Sequence, residues 1–177
     1  MFEKGEYIVY GTTGVCLVKD IITMDRDDIP KDKLYYVLEP NAAAGGRIMT
    51  PVEGNKNIMR RVLTRDEAYQ LVDSIKEVDK LWVADEKQRE LRYKEALKTC
   101  DCRAWVGIIK TLYLRKKDRM IHGKRLTEVD ERYMKKAKEN LYGELSIPLG
   151  IPAAEVERFI IARIDEEGTN ASVEIQD

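Results

Sequence analysis

The spacing of apolar residues changes period once along this chain, at residues 63–64, and that change limits the folds open to it. Up to Leu63 the alternation is two, broken by turn residues. EYIVY at 6–10, VCLVKDIIT at 15–23, KLYYVL at 33–38, a segment from Arg47 and another at 57–63 each read as a short strand. GTTG at 11–14 reads as a tight turn that needs glycine's tolerance of positive φ, so the first two strands form a hairpin. Connections this short leave no room for the crossover that parallel pairing demands. The first part is therefore a small antiparallel β-barrel or a strongly bent sheet. Because everything after it is helical, the fold class is α+β.

Thr64 opens the helical part with a capping box to Glu67, followed by a stripe of Ala68, Leu71, Val72 and Ile75. After a boundary at 76–84, Asp85 and Gln88 cap a second helix beginning near Glu86. Its Tyr93, Ala96, Leu97 and Cys100 share a packing face. A third helix is capped by Asp101 and stops near Gly123. It buries Trp105, Ile108, Ile109 and Leu112, while Lys110, Arg115, Lys116, Lys117 and Arg119 point away. Thr127 caps a fourth, carrying Val129, Tyr133, Ala137, Leu141 and Leu145, and Pro152 opens a fifth. The chain divides into a sheet domain at 1–63, a capping helix and linker at 64–83, an all-α helical domain at 84–165 and a disordered acidic tail at 166–177.

The net charge of −1 conceals an uneven distribution. Residues 78–145 hold 18 Lys and Arg against 12 Asp and Glu, a net of +6, between flanks of −2 and −5. A basic block on one module suits a polyanion, with contacts to the phosphate backbone favoured over base reading because helix-turn-helix and zinc-finger signatures are absent. Arg89, Arg92, Lys94 and Lys98 on the second helix, with Arg132, Lys135 and Lys136 on the fourth, are the candidate nucleic-acid contacts, for DNA or RNA alike. Trp82, at the entry to the second helix, is either a packed joint residue or an exposed wedge that stacks on an unpaired base.

Catalytic and metal chemistry find little support. The lone histidine, His122, lies beside Gly123 at a helix end, and no base accompanies Cys16, Cys100 or Cys102, so the chain is read as a non-enzyme without cofactor or metal. The Cys-x-Cys of Cys100 and Cys102 lacks usual zinc spacing, and the carboxylates Asp25, Asp27, Asp28 and Asp32 lack the glycine and terminal glutamate of a calcium loop. No run approaches the length of a membrane span, and the expected location is cytoplasmic with reduced thiols.

Several of these residues stand in a familiar order. Phe2, Lys4-Gly5, Val9-Tyr10, Gly14 and Val18, then Arg92-Tyr93-Lys94, then Ala137-Lys138 with Leu141, Glu144 and Leu145, resemble the CarD/CdnL family of bacterial transcription regulators over residues 1 to 146. The resemblance implies a Tudor-like barrel at 1–63, similar to the polymerase-binding module of transcription-repair coupling factors, that docks on the RNA polymerase β subunit. It implies that the helical domain contacts promoter DNA at the upstream edge of the melted bubble and prolongs the open complex, acting with the housekeeping σ factor.

Two positions depart from the family pattern. The basic residue that precedes the proline of the polymerase-binding strand is nearest Met49 here. Arg47 lies two residues earlier on the same face, so Arg47, Met49 and Pro51 are the candidate polymerase contacts. The family's wedge tryptophan aligns with Arg89. Either Trp82 replaces it, or Arg89 reads a narrowed minor groove, or contact is with the backbone alone. The competing reading from the residues is an adaptor for RNA or the ribosome, since small barrels with basic helices also bind structured RNA.

Overall fold

The computed structural model describes residues 1–24, 31–41, 46–83 and 85–173. The acidic loop read at 25–32 therefore falls largely outside the described residues, as do most of the glycine-rich corner at 41–46 and Ala84 at the expected boundary. Five strands come first: β1 (Tyr7–Tyr10), β2 (Gly14–Thr23), β3 (Leu34–Pro40), β4 (Ile48–Pro51) and β5 (Met59–Arg61). They are all antiparallel, in the order β4-β3-β2-β1-β5. The sheet is not closed into a barrel, since β4 and β5 are its two edges. It is nevertheless curled. A register shift between Val18 and Asp20 bends β2, and the Tyr10 hydroxyl on β1 donates across to Thr50 Oγ1 on the non-adjacent β4 at 3.1 Å.

Period-two alternation sends the two sides of β1 and β2 to different cores. Ile8, Tyr10, Cys16 and Val18 join Tyr36 and Leu38 in a small core inside the curl. Val9 and Val15 point the other way and enter the helical core beside Trp105, Leu141 and Leu145. The expected sheet and helical domains thus share one core.

The helices are α1 (Arg65–Asp73), α2 (Arg89–Lys98, entered through a 3-10 turn at Glu86–Gln88), α3 (Cys102–Ile121), α4 (Glu128–Leu149) and α5 (Ala153–Val173). The caps at Thr64, Asp101 and Thr127 act as read, whereas Asp85 caps the 3-10 turn and α2 itself starts at Arg89 with no side-chain cap bond from Gln88. Thr64 and Glu67 form a reciprocal box, and the side chains of Asp85, Asp101 and Thr127 accept backbone N–H groups at 3.0, 2.9 and 3.2 Å. The fifth helix runs to Val173 rather than ending at Glu166, because Gly168 alone penalises a helix by only about 1 kcal/mol. Only residues 174–177 of the expected tail lie outside the described residues.

Residues 64–83 are not a free linker. Ala68, Leu71 and Val72 of α1 belong to the main core, and the segment after it is fastened to α3. Lys110 Nζ donates to the carbonyls of Lys76 and Val78 at 2.8 and 2.6 Å, and the Leu81 N–H donates to Thr111 Oγ1 at 2.9 Å. Gly107 makes this approach possible, since a Cβ there would stand 3.1 Å from the Asp79 carbonyl oxygen.

A buried ion pair joins sheet to bundle. Arg60 of β5 grips Glu144 of α4 with both terminal guanidinium nitrogens, at 2.6 and 2.8 Å, and its Nε donates to the Cys100 carbonyl at 2.7 Å. The Glu144 carboxylate is 0% exposed and also accepts the Leu63 N–H at 3.0 Å. Burial opposes the Arg60 charge, and the carboxylate more than offsets it, raising the guanidinium's pKa.

Candidate functional site

The first surface is the outer edge of β4, which among the described residues pairs on one side only, with β3. The Val52 N–H donates to the Leu34 carbonyl at 3.0 Å, which fixes the phase of the ladder. Thr50 then turns its backbone groups toward Tyr36, and Met49 presents its N–H and C=O to the open side. Pro51 falls at a position whose missing N–H would have faced outward, where an edge tolerates proline. Side chains follow the same alternation: Thr50 is buried, whereas Arg47 is exposed and Met49 is 54% exposed. Arg47, Met49 and half-buried Pro51 therefore share the outward face of an unpaired edge.

The second surface lies where α2 meets α4. Glu90 accepts from Arg132 Nη2 at 2.7 Å and from the Tyr133 hydroxyl at 3.3 Å, which aligns the two helices. Lys94 follows Glu90 by one turn, and Leu97 comes to a shallow cleft with Arg132, Tyr133, Lys135 and Lys136. The Arg132 guanidinium stacks on Tyr133 with 5.3 Å to the ring centre. Lys94 and Lys98 are exposed, and neither forms an ion pair among the described residues. Lys135 is exposed with Glu139 at 3.8 Å, and Arg92 is half-buried with Glu95 at 3.3 Å. Five of the expected residues, Lys94, Lys98, Arg132, Lys135 and Lys136, thus line one basic strip.

Arg89 does not join it. Its side chain is 16% exposed, with Nε 2.9 Å from Asp130 Oδ1 and Nη1 2.5 Å from Glu86. Arg115, which the helical pattern aimed at solvent, meets the same pair of carboxylates at 3.0 and 2.7 Å. Asp130 is fully buried, so both guanidiniums are held as counter-charges to it. Lys110, also expected to point away, is spent on the two carbonyls of the α1–α2 connection.

Trp82 is 72% exposed. Leu81 takes the packed position against α3, so its neighbour is turned outward. Its exposure is at odds with the packed-joint reading of Trp82. Trp82 is anchored beside α3, whereas the basic strip lies between α2 and α4.

Asp130 and Arg60 were invisible to periodicity. A T-x-x-D pattern after Thr127 marks the Asp130 N–H as capped, but nothing in it announces two arginines arriving from other helices. The thiols are structural. Cys100 Sγ contacts the Gly11 carbonyl at 3.2 Å, burial pushes the Cys16 thiol up to about 11, and burial followed by the Glu144 charge pushes Cys102 higher still. Among the described residues no three His, Cys, Asp or Glu side chains converge as metal ligands, and no helix is long and apolar enough to cross a membrane.

Residues 2–63 match the family model of the CarD-like/TRCF RID domain. No curated protein matches the chain in a whole-sequence comparison.

Proposed function

Residues 2–63 form a CarD-like/TRCF RID domain, a module that interacts with the RNA polymerase β subunit, and from that premise we propose a transcription regulator that couples polymerase to promoter DNA. The observation that carries the reading is the unpaired β4 edge within that domain, with Met49 offering backbone groups and Arg47 exposed beside it. Such an edge adds a strand to a partner sheet through main-chain hydrogen bonds, and Arg47, Met49 and Pro51 supply the side-chain selection.

The basic strip of Lys94, Lys98, Arg132, Lys135 and Lys136 then holds phosphates near the upstream edge of the bubble. Backbone contact of this kind carries no sequence code. Stabilising the opened promoter, alongside the housekeeping σ factor, changes the lifetime of the open complex. The regulator acts without catalysis, in the cytoplasm at the nucleoid. Exposed Trp82 lies outside the strip and is available to stack on an unpaired base.

The test is the lifetime of open complexes formed by bacterial RNA polymerase holoenzyme, with and without the protein. Arg47→Glu is expected to abolish both polymerase binding and the effect. Lys94→Glu with Lys98→Glu is expected to keep polymerase binding and lose the effect on lifetime. No change in lifetime on any promoter, or co-sedimentation with ribosomes instead of polymerase, would overturn the reading.

A further inference from the structure

A groove of about 860 Å3 follows α4 away from the β4 edge and shares Lys135 and Lys136 with the α2–α4 strip at one margin. It extends from the C-terminal part of α3, at Met120, past Leu126 and Met134, to Tyr142 and the start of α5. Between Glu131 and Gly143 the helix rises about 18 Å, the length of three helical turns. The floor is apolar and includes two methionines, whose unbranched side chains adapt to varied partners.

Gly143 is the telling residue. Glycine is disfavoured inside a helix, and here no neighbour requires it, because a Cβ at this position meets nothing within 4 Å. Gly107 differs, its missing Cβ making room for the chain at Asp79. The open space at Gly143 faces the groove. Beside it Asn140 lines the groove at 3% exposure, and its buried Nδ2 has no hydrogen-bond partner among the described residues.

The rim is basic. Lys116 and Arg125 are exposed and form no ion pair among the described residues, and Lys138 stands beyond them, bound to Glu157 at 2.7 Å. We propose that this groove is a docking site for an acidic amphipathic helix of a protein partner. Its apolar face lies over Met120, Met134 and Tyr142, and its carboxylates meet Lys116 and Arg125. Nucleic acid fits less well, since phosphates gain nothing from a methionine floor. The inference does not depend on the promoter reading.

The probe is a labelled peptide of about 15 residues with leucines at three- and four-residue spacing and glutamates elsewhere, followed by fluorescence anisotropy with the full chain. A scrambled peptide of the same composition is the control. The helical peptide is expected to bind and the scrambled one not. Gly143→Leu is expected to raise Tm, by removing the helix glycine, while weakening the peptide at least about tenfold. Lys116→Glu with Arg125→Glu weakens it similarly, and Lys94→Glu with Lys98→Glu leaves it unchanged. Equal binding of the scrambled peptide, indifference to Gly143→Leu, or indifference to Lys116→Glu with Arg125→Glu would each overturn the proposal.

Discussion

Replacing Arg60 by methionine tests the joint between sheet and helices, and the geometry fixes both the size and the sign of the response. Without the guanidinium, the fully buried Glu144 carboxylate keeps only the Leu63 N–H and the Cys102 thiol at 3.1 Å. Removing one partner of a buried pair costs about 3–5 kcal/mol, and the low end applies because the Arg60 side chain is itself 28% exposed. Loss of the bond to the Cys100 carbonyl adds roughly 1 kcal/mol. A total near 4 kcal/mol lowers the urea midpoint by about 1–2 M for a chain of this size. Glu144→Gln is milder, since Arg60 can still reach water. The decisive outcome is a sign reversal. Glu144→Gln destabilises the wild-type protein but is neutral or stabilising in the Arg60→Met background, where it removes an unpaired buried charge. A Glu144→Gln that destabilises both backgrounds equally, or an Arg60→Met that leaves the midpoint unmoved, would refute the reasoning.

Two glycines of long helices should answer oppositely to alanine. Gly143→Ala raises stability by up to about 1 kcal/mol, whereas Gly107→Ala lowers it, because the Asp79 carbonyl is backbone held in place by the bonds to α3; thermal melts measure both. The Arg61 guanidinium, with Thr64, holds the Glu67 carboxyl down to about 2, below its usual 4.5. The sign follows: the ionised carboxylate stabilises above the unfolded pKa, and that contribution is lost as pH falls toward 2. The difference in urea midpoint between wild type and Glu67→Gln should therefore shrink between pH 5 and pH 2. Lys94→Ala should weaken DNA binding and reduce its salt slope by about 1 without changing stability, whereas Arg89→Ala should destabilise the fold by about 1–3 kcal/mol, because buried Asp130 loses one of its two guanidinium partners and keeps Arg115. Parallel denaturation and salt-titrated anisotropy separate the two.

What the sequence disclosed was local. Strand alternation, the turn at 11–14 and the caps at Thr64, Asp101 and Thr127 depend on neighbours a few residues apart, and each forms as read. The edge role of β4 was legible in part, since Pro51 favours an edge. Helical periodicity gave the direction in which Arg89, Lys110 and Arg115 leave their helices, but not what meets them there. Arg89 and Asp130 are 41 positions apart and Arg60 and Glu144 are 84 apart, so their pairing exists only after packing. A basic residue beside a buried carboxylate and one facing DNA look alike until that packing is known.

That distinction changes how the proposed regulator should work. Backbone contacts from five partly screened lysines and arginines are individually weak and indifferent to sequence, so the strip alone would bind promoters no better than other DNA. Docking through the β4 edge raises the local concentration of the strip at the promoter, but only in the orientation the rest of the protein enforces. The shared core around Val9 and Val15, and the Arg60–Glu144 pair, are what enforce it. Arg60→Met, assayed at a temperature where it remains folded, should therefore bind polymerase with unchanged affinity while shortening the open-complex lifetime it supports toward that of Lys94→Glu with Lys98→Glu. A variant that loosened the joint yet kept full activity would mean that polymerase docking suffices and that the helices need no fixed position on DNA.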